Sequence, residues 1–68
     1  MIVRVSFPTP ELANDFIHRL EHFFGSDIEA FSSGIYVEME FDNSEEMKRD
    51  LLQAAKLIGG AEVVTRLQ

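Results

Sequence analysis

His18 and His22 stand four residues apart, with Glu11 and Asp15 on roughly the same side of any helix that holds them. Imidazole nitrogens at that spacing can clasp a metal ion. Glu21, between the histidines, points elsewhere, and no downstream ligand completes a zinc-hydrolase set. The residues favour two solvated histidines beside an apolar stripe. Carboxylates pair at Glu45-Glu46 and at Glu38 with Glu40. The first pair suits the positive start of a helix; the second lies on a strand with no nucleophile, base and orienter around it. Tyr36 stands two residues after Gly34, where an RNA-binding sheet places a stacking aromatic. Glu38 and Glu40 share its face, however, and would repel phosphate. Ser32-Ser33-Gly34 and Gly59-Gly60 lack the further glycines and the lysine of a phosphate loop. With no cysteine there is no disulfide, thiolate metal site or redox pair. These residues predict a chain that is not an enzyme and uses no metal or cofactor.

Charge and size narrow the partners. The chain has 12 acidic and 6 basic side chains, a formal net charge of −6. Its basic residues (Arg4, Arg19, Lys48, Arg49, Lys56, Arg66) are scattered, and most have acidic neighbours. A phosphate-binding surface needs them clustered, so direct nucleic-acid binding is not expected. The apolar runs are too short to cross a membrane. Met1 leads straight into an apparent strand without a basic or hydrophobic leader, and a cytoplasmic location is expected. Sixty-eight residues make a single compact domain, 1–68, with one small core. Lacking any staple, such a domain gains stability from association. The expected partner is a second copy, as a homodimer, a larger protein, or both.

The elements that carry these side chains follow from periodicity. Val3, Val5 and Phe7 alternate with Ile2, Arg4 and Ser6, the period of a half-buried strand. Pro8 ends it, Thr9 can cap a helix and Pro10 can take its first position. Leu12, Ala13, Phe16, Ile17, Leu20 and Phe23 or Phe24 recur at helical spacing, and Gly25 is the natural stop. Ile28–Phe31 reads as an edge strand, Ser32-Ser33-Gly34 as a tight turn. Then Ile35, Val37, Met39 and Phe41 alternate with Tyr36, Glu38 and Glu40. Asn43 with Glu46 suggests a capping box. A second helix buries Met47, Leu51, Ala54, Ala55 and Ile58 and ends at Gly59-Gly60. A last strand, Ala61–Leu67, sets Val63, Thr65 and Leu67 against Glu62, Val64 and Arg66.

The order β-α-β-β-α-β predicts an α+β, two-layer ferredoxin-like sandwich, a four-stranded antiparallel sheet with both helices on one face. The other face would show Ile2, Arg4, Tyr36, Glu38, Glu40, Val64 and Arg66, with Arg4 able to approach Glu38 or Glu40. Together with Phe31 on the edge strand, Ile2, Arg4, Tyr36, Glu38, Val64 and Arg66 are the candidate partner interface. An acylphosphatase-like activity on this fold would need an arginine in a phosphate-cradling first loop, and here that loop is Pro8-Thr9-Pro10. The alternative to an interaction or scaffold subunit is a small-molecule-binding regulatory domain of the ACT-like type. That requires a concave pocket with convergent polar groups, which no loop visibly builds.

Phe7-Pro8-Thr9, followed by Glu11-Leu12-Ala13, resembles the strand-to-helix junction of the small dimerising subunit of the KEOPS complex, which makes threonylcarbamoyl-adenosine in tRNA. After its strong strand that subunit carries a helix with an arginine and, four residues later, an asparagine. Arg49 and Gln53 stand at those places, the glutamine a departure. The likeness runs from about Val3 to Ile58. It implies a non-catalytic subunit that pairs with itself and docks a catalytic kinase-like partner, with Arg49 and Gln53 near the functional helix face. The ending departs, because Ala61–Leu67 reads as a strand where the family continues with helix. Read without the resemblance, Arg49 is a solvated residue one turn after Glu45, at local ion-pair spacing.

Overall fold

The computed structural model describes residues 1–64. Thr9 opens the first helix as expected: its backbone is extended (φ −140°, ψ 155°) and its hydroxyl accepts from the Leu12 N–H at 3.2 Å. The chain runs β1 (Ile2–Ser6), α1 (Pro10–Phe24), one 3-10 turn (Gly25–Asp27), β2 (Glu29–Ser33), β3 (Tyr36–Glu40), α2 (Glu45–Lys56) and β4 (Ala61–Glu62). The sheet order is β2-β3-β1-β4, and every neighbouring pair is antiparallel. This is the ferredoxin-like sandwich that the periodicity predicts.

The alternation of β1 and β3 decides which face is covered. Val3, Val5, Val37, Met39 and Phe41 are buried together with Ala13, Phe16 and Leu20 of α1 and Leu51 and Ala55 of α2. Phe7 and Phe16 meet with ring centroids 5.1 Å apart, which ties the end of β1 to the first helix. Each large side chain in this layer contributes about 1.5–3 kcal/mol through burial. Gly60 lets the chain return beneath α2: a Cβ there would stand 2.7 Å from Phe7 Cε1 and 2.8 Å from the Ala55 carbonyl oxygen.

Four local expectations shift. The hairpin turn is Gly34-Ile35, with Ser32 and Ser33 inside β2, because Gly34 supplies the positive φ (61°) that a two-residue loop needs at its first position. Ser44, rather than Asn43, caps α2, and its hydroxyl accepts from the Met47 N–H at 3.2 Å. Both residues are competent caps; starting one residue later puts Glu45 and Glu46 in the first turn and leaves no capping box. The α2 helix ends at Lys56, and turn residues Leu57–Gly59 precede Gly60.

The fourth shift concerns β4. It pairs Ala61 with Ser6 and Glu62 with Val5, and the Val63 N–H donates to the Arg4 carbonyl at 2.8 Å. Val63, rather than Val64, is therefore Arg4's neighbour, and the row of Glu62 belongs to the helix side. Glu62 confirms that side by lying 3.8 Å from Lys48 of α2. Val64 is exposed past the end of β4. Arg66, Thr65 and Leu67 lie outside the described residues.

Candidate functional site

The uncovered face of the sheet is a small grid. Register sets Phe31, Glu38, Arg4 and Val63 across its middle, Glu29, Glu40 and Ile2 on one side, and Ser33, Tyr36, Ser6 and Ala61 on the other. Arg4 Nη2 donates to Glu38 Oε2 at 2.7 Å, the cross-strand pair that the sequence suggested. Both side chains are partly open to solvent, which limits the pair to about 0.2–1 kcal/mol. Around it stand three large apolar side chains in water: Phe31 is 65% exposed, Ile2 62% and Tyr36 45%. A shallow depression of about 270 Å³ lies among Arg4, Phe31, Ser33, Tyr36 and Glu38. Glu29 stands directly opposite Glu40, a like-charge pair that weakens the hairpin by a few tenths of a kcal/mol. Among the described residues, three carboxylates and one guanidinium make this face acidic.

The structure thus brings Ile2, Arg4, Phe31, Tyr36 and Glu38 onto one surface and sets Val64 apart from them. Arg49 and Gln53 are both exposed and one turn apart on α2. Arg49 has no ion-pair partner among the described residues, so the local pair with Glu45 is not formed. His18 and His22 are exposed on α1; Asp15 pairs with Arg19 at 3.7 Å, and the His22 ring sits edge-on to Phe23. No group of three or more metal-ligating side chains occurs among the described residues. No helix among them is long and apolar enough to cross a membrane.

Two further features escape the sequence reading. Phe23 and Leu57 are 73% and 83% exposed beside an apolar groove of about 270 Å³ between the ends of the helices. Either Phe23 or Phe24 could end the stripe of α1, and the structure packs Phe24 against the core and leaves Phe23 in water. Leu57 likewise falls off the stripe of Met47, Leu51, Ala54, Ala55 and Ile58. A larger cleft of about 530 Å³ opens between α2 and β4, lined by Leu52, Gln53, Lys56, Gly60 and Glu62 among others. Ala61 and Glu62 of the two-residue β4 form one wall of it. Comparison of the chain with protein-family models, curated proteins and solved structures finds no match.

Proposed function

We propose that this chain is a non-catalytic protein–protein interaction module, one that associates with itself and presents the uncovered face of its sheet to a larger partner. The observation that carries this reading is the grid of Ile2, Phe31 and Tyr36 around the Arg4–Glu38 pair. Three large apolar side chains left in water on one regular surface mark a contact region, and the central ion pair can give it orientation. The likeness to the small KEOPS subunit supports an accessory role in a larger complex. In that role Arg49 and Gln53, one turn apart and exposed, would form a second contact on α2.

Solution mass at two concentrations, combined with capture from the native host, tests the proposal. Association should grow with concentration, and the captured protein should be lost with Tyr36→Ser. A single-chain mass at both concentrations with nothing captured contradicts it. One observation favours a second reading, a small-molecule-binding regulatory domain. The α2–β4 cleft falls within the size range of ligand pockets and carries Gln53, Lys56 and Glu62 at its wall. A metabolite that raises the melting temperature of the wild-type chain but not of Gln53→Leu would support that alternative.

A further inference from the structure

Backbone hydrogen bonds show which groups of β2 are free. The Phe7 N–H donates to the Ile35 carbonyl at 2.8 Å, and the Phe41 N–H donates to the Met1 carbonyl at 3.0 Å. Odd-numbered residues along β3 therefore address β1. By the alternation of an antiparallel ladder, Tyr36, Glu38 and Glu40 address β2. Their register partners Ser33, Phe31 and Glu29 spend their backbone groups on β3. Ala30 and Ser32 point their N–H and C=O groups off the edge of the sheet. That edge carries no proline, lysine or bulge, the usual protections of an exposed strand.

We propose that a second copy of this chain occupies this edge, β2 pairing with β2 about a two-fold axis through Phe31. The inference rests on the self-association proposed above and specifies its geometry. One register matches all five residues of the strand. Phe31 faces Phe31 of the other copy as a non-hydrogen-bonded pair, the arrangement that brings side chains closest. Ala30 and Ser32 exchange backbone hydrogen bonds on either side, four in all, with no orphaned group between them. Glu29 meets Ser33, so no carboxylate opposes another across the seam. On the helix side the small Ala30 and Ser32 side chains oppose each other, and Asn14 of α1 stands beside Ser32 at 3.4 Å. Moving to the next register of the same hydrogen-bonding parity sets Glu29 against Phe31, or leaves it beyond the partner strand.

Charge favours this edge over stacking of the two uncovered faces. Face to face, Glu29, Glu38 and Glu40 of both copies would crowd together against the two Arg4 guanidinium groups of the described residues. Edge to edge, the faces lie side by side and join into one eight-stranded surface, with the Phe31 pair at its centre.

The chain contains no cysteine, so engineered disulfides report the seam directly. Phe31→Cys should cross-link the full-length chain into a covalent dimer under mild oxidation, whereas Ser6→Cys, on the inner strand β1 of the uncovered face, should not. Ala30→Pro removes an N–H that the monomer's ladder does not use, a tolerated place for proline. The circular dichroism spectrum of this variant should therefore match that of the wild type. Its dimer dissociation constant should rise roughly 100-fold, about tenfold for each of two lost hydrogen bonds. A dimer by mass that cross-links through Ser6→Cys and not through Phe31→Cys overturns this geometry and leaves self-association standing. A wild-type chain that stays monomeric at every concentration overturns both.

Discussion

The two faces of this sheet are made by the same strands and differ in nearly everything else. Beneath the helices β1 and β3 present Val3, Val5, Val37 and Met39, all buried. One residue along, the same strands present Ile2, Arg4, Tyr36 and Glu38 to water. On β1 and β3 the covered face is apolar throughout and holds the fold. The open face mixes aromatic, aliphatic and ionic groups, a composition that contributes little to folding and suits a contact with another protein. Stability and the proposed recognition are thus separated by the strand period of two, and substitutions on the two faces should have different consequences.

The largest effect should come from the covered side. Phe16→Ala opens a cavity under Phe7 and should cost about 3–5 kcal/mol, enough to unfold most of so small a domain. Urea denaturation followed by circular dichroism measures it. Gly60→Ala comes next, at about 1–3 kcal/mol, because the Ala55 carbonyl and the Phe7 ring leave no space for the added methyl. Thermal melts should show a lowered midpoint with an unchanged spectrum at low temperature. On the open side, a double-mutant cycle of Arg4→Ala and Glu38→Ala should give a coupling of about 0.2–1 kcal/mol that shrinks with added salt. Smallest of all, Tyr36→Ser should move monomer stability by no more than about 0.5 kcal/mol while abolishing capture of the partner. A large loss of stability with Tyr36→Ser would erase the distinction between the faces.

Most of this division is legible in the residues themselves. Alternation from Val3 to Phe7 and from Ile35 to Phe41 assigns the faces because each strand has one dry side and one wet side. Thr9-Pro10 announces its helix because a hydroxyl cap and a proline at the first position act locally. Asn43 and Ser44 compete for one cap with nearly equal chemistry, and their residue types alone do not choose between them. The parity of β4 is invisible for a related reason: so short a strand takes its register from β1, through Val5–Glu62 and Arg4–Val63. Of the candidate surface, Ile2, Arg4, Tyr36 and Glu38 were readable as a row. Which of Phe23 and Phe24 is exposed was not, since a helical stripe has no sharp boundary at its end, and Leu57 was legible only as a position off the stripe of α2. The free backbone groups of Ala30 and Ser32 also needed the hydrogen-bonding parity of the neighbouring strands.

The helix-side groove at Phe23 and Leu57 is the natural rival of the sheet as the contact surface, and oxidative side-chain footprinting distinguishes them in one experiment. Labelled at low and then at high concentration, the wild-type chain should lose reactivity at Phe31 while Phe23 and Leu57 stay as reactive as before. Protection of Phe23 and Leu57 with Phe31 unchanged would place the contact on the helices and contradict the assignment made to the sheet.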